Sequence, residues 1–148
     1  MKVIFLDIDG VLNTPADVSD QGLVIRPDKL LLIKQIVEAT GAKIVLSTSW
    51  RMYWEPGEAL CDPIGEWIND AFGSAGMSIF DKTPYTMTGR ENQIASWLNA
   101  HPEVKAFVVL DDALLSAPFL QGHFVKTSPY FGALDEMDVE RAIVILNG

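Results

Sequence analysis

An α/β fold built on a mainly parallel, doubly wound sheet is predicted by three features of the sequence. Short apolar runs rich in Val, Ile and Phe recur along the chain, stretches with helical apolar stripes lie between them, and Asp or Ser residues stand where the runs end. Strands that alternate with helices pair in parallel and need cover on both faces, which gives three layers.

The elements follow in order. Lys2 to Leu6 is an apolar run bounded by Asp7 and Gly10, the pattern of a buried strand. Asn13 to Arg26 carries Pro15, Gly22 and several Asp and Ser residues and is read as a loop or small flap. A helix is predicted from Pro27, with Leu30, Ile33, Ile36 and Val37 as its apolar stripe and Gly41 as its stop. Lys43 to Leu46 is the second strand and runs into Ser47-Thr48-Ser49. Between residues 50 and 87 the pattern is weaker: Trp67, Ile68, Ala71 and Phe72 suggest a short helix, Ser78 to Phe80 a short strand, and Asp81 to Met87 a loop. Thr88 and Glu91 have the spacing of a capping box, and Ile94, Trp97 and Leu98 continue that helix. Val104 to Leu110 is a strong strand that ends at Asp111-Asp112, and Phe124 to Val125 is a further short one. Asp135 is the expected N-cap of a last helix, with Val139, Ala142, Ile143 and Leu146 facing inward.

A chain of 148 residues with no repeat, low-complexity tract or linker reads as one domain over residues 1–148. No apolar run approaches the ~18 residues of a membrane span, and no secretory signal is visible. Cys61 is the only cysteine, so no intrachain disulfide forms; a reducing, cytoplasmic setting and a buried or half-buried apolar role for Cys61 are expected. A net charge of -9 argues against broad nucleic-acid binding, which depends on neutralising phosphates, but leaves room for a local basic pocket. Nothing indicates an oligomer.

The carboxylates carry the chemistry. Ligands of open parallel sheets bind beyond the carboxyl ends of the strands, and Asp7, Ser47 and Asp111 each stand at such an end. Like charges crowded there call for a hard cation, and Mg2+ takes carboxylates, waters and a substrate phosphate. Asp7 and Asp9, two residues apart, would point the same way from a strand-like segment. One could then attack phosphorus while the other protonates the leaving oxygen and activates water. Gly10 would permit a tight turn and bring backbone N–H groups close to the substrate.

The segment "FLDIDGVLN" resembles the first signature of the haloacid-dehalogenase (HAD) superfamily, "IVLSTS" its second, and "VVLDD" its fourth. The closer resemblance is to the small capless HAD domains of Swiss Army Knife RNA repair-like proteins, through "STSWR", "GRENQIASWL", "LDD" and "TSPYFGALDEMDVERAIVIL". This resemblance implies a Rossmann-like HAD fold with no cap or a minimal one, and a Mg2+-dependent phosphomonoester hydrolase that forms an aspartyl-phosphate. It implies Asp7 as nucleophile and metal ligand, and Asp9 as general acid/base with its carbonyl on the metal. Ser47 would bind phosphate, with Thr48 or Ser49 as alternatives. Arg90 would be the third-signature cation, with Lys82 as its rival. Asp112 would contact the metal directly and Asp111 would assist. Trp50 and Arg51 would line the rim, Arg51 touching the rest of the substrate, for which phosphorylated polynucleotide ends or nucleotides are the implied class. A small phosphorylated molecule is also compatible. Two other functions share parts of this pattern: a receiver-like phosphoacceptor domain, and a non-catalytic module that binds Mg2+ or phosphate.

The remaining aromatic and acidic residues have plainer readings. Trp67 and Trp97 lie on apolar helical faces and are expected in the core, whereas Trp50 and Trp54 are expected to be more open. His101 and His123 have no partner at metal spacing and are expected at the surface or in loops. Asp135, Glu136, Asp138 and Glu140 suit a helix start, where the dipole favours negative charge.

Overall fold

The computed structural model describes residues 1–17, 22–57 and 62–148. Cys61, and part of the loop before Arg26, lie outside the described residues. Five strands form one sheet: β1 (Lys2–Leu6), β2 (Lys43–Leu46), β3 (Ile79–Lys82), β4 (Ala106–Asp111) and β5 (Phe124–Lys126). All pair in parallel, in the order β3-β2-β1-β4-β5. Four helices complete the α/β fold predicted from the sequence: α1 (Pro27–Thr40), α2 (Pro63–Ser74), α3 (Arg90–Asn99) and α4 (Glu136–Asn147). A receiver-like domain would show the order 2-1-3-4-5, so the topology removes that alternative.

Alternation along the central strands divides the core in two. Ile4, Leu6, Ile44, Leu46, Val108 and Leu110 face α1, α2 and α4, where they meet Ile33, Ile36, Ile68, Phe72, Ala142 and Leu146. Val3, Phe5, Val45 and Val109 face the other way, against Ile94 and Trp97 of α3 and against Leu120. Phe5 meets Trp97 edge-on, with ring centroids 5.4 Å apart. Both faces are therefore covered, as continuous apolar strands require.

The helix ends show where local pattern decided and where it did not. Pro27 opens α1, and Gly41, in the left-handed region at φ 72°, closes it by donating its N–H to the Val37 carbonyl. Asp135 caps α4 as expected, and Asp138 returns the bond to the Asp135 N–H, completing a capping box. At α3 the expected box with Thr88 does not form. Gly89 is the cap residue, which puts Glu91 one position too early, and its carboxylate instead accepts from the backbone of Ser116 and Ala117.

The weakly patterned middle region holds most of the other differences. β3 continues to Lys82, past the point where a loop was expected, because it pairs with Val45 and Leu46 of β2. β4 begins two residues later than predicted and takes in Asp111. Trp54, expected to be open, is buried and donates its indole N–H to Asn69. Trp67, expected in the core, is 43% exposed, since Ile68 and Phe72 fill the inner face of α2. Trp97 is buried as predicted. His101 and His123 are half-buried and stack on Trp97 and Phe107. No described helix is long and apolar enough to cross a membrane.

Phe72 lies fully buried and ties α2 to the sheet. Phe72→Ala should cost about 3–5 kcal/mol of stability by urea unfolding, the usual range for truncating a buried aromatic. Trp67→Gln should change stability by less than about 0.5 kcal/mol.

Candidate active site

The sheet register sets the site. β1 pairs with β2 and β4 up to Leu6, opposite Leu46 and Leu110. The ladder then continues one residue further: Ser47 N–H donates to the Leu6 carbonyl and Asp7 N–H to the Leu110 carbonyl. Asp7, Ser47 and Asp111 are thereby level at the carboxyl edge. The strand order reverses between β1 and β4, which is where an open α/β sheet forms its ligand crevice.

Carboxylate oxygens of Asp7, Asp111 and Asp112 all lie within 4.8 Å of one another. Asp111 is fully buried and Asp7 nearly so. A single guanidinium nitrogen of Arg90, at the first position of α3, meets two of them: Nη1 is 3.1 Å from Asp7 Oδ2 and 2.8 Å from Asp111 Oδ2. The other cation considered from the sequence, Lys82, is directed elsewhere, to the Trp54 carbonyl and the Glu55 carboxylate.

Burial, reinforced by the charge of Asp111, pushes the Asp7 carboxyl from 3.8 up to about 8, although Arg90 pulls the other way. Asp112 is shifted upward too, by burial and again by Asp111. For Arg90, burial disfavours the charged form but is outweighed by Asp7 and Asp111, so its pKa is raised. Three carboxylates facing one guanidinium are short of positive charge. All-oxygen donors in this arrangement fit a hard divalent cation, which Asp7 and Asp112 would hold. Asp7 and Asp111 each have both oxygens engaged, Asp7 by the Ile8 N–H and Arg90 and Asp111 by the Ala113 N–H and Arg90, while Asp112 lines an open cleft.

Ser47 adds a second polar group suited to a ligand at this edge. Its hydroxyl is fully buried and, among the described residues, forms no hydrogen bond. A buried donor left unsatisfied is unfavourable, and an anion held beside Asp7 would satisfy it. Thr48 caps the following helical turn (Ser49–Tyr53) by accepting from Trp50 N–H, and Ser49 is exposed. Arg51, expected at the rim, is instead buried. Its guanidinium donates to the carbonyls of Thr48, Thr83 and Pro84, pinning the helical turn to the end of β3.

Asp9 does not follow Asp7. The strand ends at Leu6, and the chain turns as Val11 and Leu12 both bond to the Ile8 carbonyl. The expected strand-like spacing therefore stops short of Asp9. Its carboxylate is exposed and stands outside the cluster, accepting from Trp50 Nε1 at 2.9 Å and from Asn13 Nδ2 at 3.0 Å. It lines a cleft of about 600 Å3 together with Gly10, Asn13, Trp50, Asp112 and Lys126.

The Gly10 N–H, expected to face substrate, is taken by Asn13 Oδ1. The demand for glycine is steric: φ is +83°, and a Cβ would lie 2.2 Å from Asp112 Oδ2. Sequence reasoning assigned no role to Asn13, although it stands inside the quoted first segment. It also missed Thr127, whose hydroxyl holds the Gly10 carbonyl at 2.7 Å from across the chain, a contact with no sequence signal. Gly10→Ala should displace the Asp112 side chain, and isothermal titration with Mg2+ should show at least tenfold weaker binding in the folded variant.

A family model described as the HAD domain in Swiss Army Knife RNA repair proteins matches residues 3–139. No curated protein and no solved structure matches the chain. The match spans β1 through the start of α4 and so includes every strand and each residue of the acidic cluster. By this match the chain belongs to the family of HAD domains found in Swiss Army Knife RNA repair proteins.

Proposed function

We propose that the chain is a Mg2+-dependent phosphomonoester hydrolase of the HAD type that works through an aspartyl-phosphate on Asp7. The observation that carries this reading is the pairing of a three-carboxylate cluster, two of its members buried, with a buried hydroxyl that has no partner among the described residues at the same sheet edge. The first suits a divalent cation and the second suits an anion, and a phosphate ester brought in with Mg2+ satisfies both. Phosphorylated polynucleotide ends or nucleotides are the proposed substrate class.

Each residue then has a task. Mg2+, held by Asp7 and Asp112 with the Asp9 carbonyl, would neutralise phosphate charge and so allow a carboxylate to approach phosphorus. Asp7 attacks phosphorus, an Asp7–phosphorus bond forms through the carboxylate oxygen, and the bond from phosphorus to the leaving oxygen breaks. Asp9 acts as the general acid toward that oxygen. It next accepts a proton from water as the water attacks phosphorus and frees Asp7. Trp50 and Asn13 position the Asp9 carboxylate beside the cleft. Arg90 keeps Asp7 and Asp111 in place and offers its remaining N–H groups to phosphate oxygens, while Ser47 donates its hydroxyl to another.

Hydrolysis of an aryl phosphate in the presence of Mg2+ tests the reading. Asp7→Asn and Asp9→Asn should each reduce kcat by at least ~10³-fold; turnover that survives Asp7→Asn rules out the covalent route.

The elevated Asp7 pKa sets the pH behaviour. The folded state holds a proton on Asp7 that the unfolded chain has released above 3.8, so this contribution to stability is complete below that value. It is lost as pH rises through about 8. In EDTA the melting temperature should fall between pH 6 and pH 8.5. Mg2+ competes with the same proton, so the rise in melting temperature on adding Mg2+ should be larger at pH 8.5 than at pH 6. An equal rise at both values would mean that the ion binds away from Asp7.

A further inference from the structure

A second cleft, of about 700 Å3, runs from Arg90 along α3 and is walled by the helical turn Ser49–Tyr53 and the end of β3. Its size falls in the range of about 300–1,000 Å3 usual for small-ligand pockets. Arg90 belongs both to this cleft and to the acidic cluster, so the cleft opens directly beside the place where a phosphoryl group would sit.

The charged groups that line it are already engaged. Arg51 is held by backbone carbonyls, Lys82 by Glu55, and Asp81 by the Trp97 indole N–H at 2.8 Å. Gln93 is different. It is 8% exposed and faces the cleft, yet its side-chain amide takes part in no hydrogen bond among the described residues. A primary amide presents a donor and an acceptor side by side in one plane, and here both are open to a ligand in the cleft. Met52 and Tyr85 also line the cleft while remaining largely exposed, at 69% and 81%.

We propose that this cleft is a nucleobase subsite, in which the Gln93 amide reads the base edge and Tyr85 and Met52 cover its face. The placement of the phosphate rests on the hydrolase reading above. A neutral, planar ligand with a donor and an acceptor on one edge matches a neutral amide set among apolar walls. Base edges present such pairs, and amide side chains recognise them in a bidentate manner. Base faces stack on aromatic side chains with little dependence on sequence, and thioethers pack well on aromatic rings. A net charge of -9 does not oppose this, because a single terminal nucleotide is held by local contacts and not by a basic surface. The base belongs either to a mononucleotide or to the last residue of a strand, and the two share the same chemistry.

Ribose 5-phosphate and the ribonucleoside 5'-monophosphates differ only in the base, and their kcat/KM values in Mg2+ provide the test. The base should raise kcat/KM at least about tenfold, and Gln93→Ala and Tyr85→Ala should each cut that ratio by about fivefold or more. Tetranucleotides phosphorylated at either end identify the source: a gain over mononucleotides assigns the subsite to strand ends, and no gain assigns it to free nucleotides. Should ribose 5-phosphate be cleaved within twofold of every nucleotide, the subsite is wrong and the hydrolase reading stands. Should no phosphate ester be cleaved, the hydrolase reading fails and an NMR titration of the wild-type protein with adenosine and uridine 5'-monophosphates decides. Movement of the Gln93 side-chain amide signals supports the subsite, and signals unmoved by either nucleotide at millimolar concentration overturn it.

Discussion

Two buried carboxylates on one guanidinium, with a third half-buried beside them, are the constraint on which the rest of the structure depends. Bringing Asp7 and Asp111 out of water beside each other is unfavourable, and Arg90 offsets only part of the repulsion. A chain that keeps such a cluster must hold it by force from elsewhere. That force comes from the continuous apolar strands β1, β2 and β4, whose side chains are buried on both faces and fix the register to the residue. A slip of one position would turn Asp7 away from Asp111 and send each set of core side chains to the face shaped for the other, so the same packing that stabilises the sheet also enforces the crowding.

The elements around the cluster serve the same end. α3 begins at Arg90, so its cation sits where the helix axis meets the sheet edge. Gly10 has no side chain because Asp112 occupies that space, and Thr127 at the end of β5 holds the Gly10 carbonyl in place. Segments at the strand ends thus position one another, even across an intervening strand. Glu91 shows a similar trade: the local capping box that its spacing suggested is given up so that its carboxylate can hold the backbone at Ser116 and Ala117, just beyond the acidic pair.

The helical turn Ser49–Tyr53 divides the surroundings of the site. Trp50 leaves it toward the cleft that contains Asp9, while Ser49 and Met52 leave it toward the cleft that contains Gln93. Arg51 and Lys82 fasten this turn to the end of β3 through backbone carbonyls, which explains why two cations close to the site contribute to its frame. Chemistry on one side and recognition on the other would then share a single rigid partition.

The sequence by itself determined the strands and their tips, because buried parallel strands are continuous apolar runs and the polar residue that ends each run is visible without any neighbour. Asp7, Ser47, Asp111 and Asp112 were legible for this reason, as were Pro27, Gly41 and Asp135 at helix ends. The tertiary structure alone decided what depends on contacts between distant segments. It turned Asp9 toward Trp50 and Asn13, withdrew Arg51 from the rim to the carbonyls of Thr48, Thr83 and Pro84, set Arg90 and not Lys82 against Asp7, exposed Trp67 and buried Trp54. Periodicity reports which residues share a face of their own element, whereas the partner that a polar side chain finds is set by whatever the sheet order brings across from it.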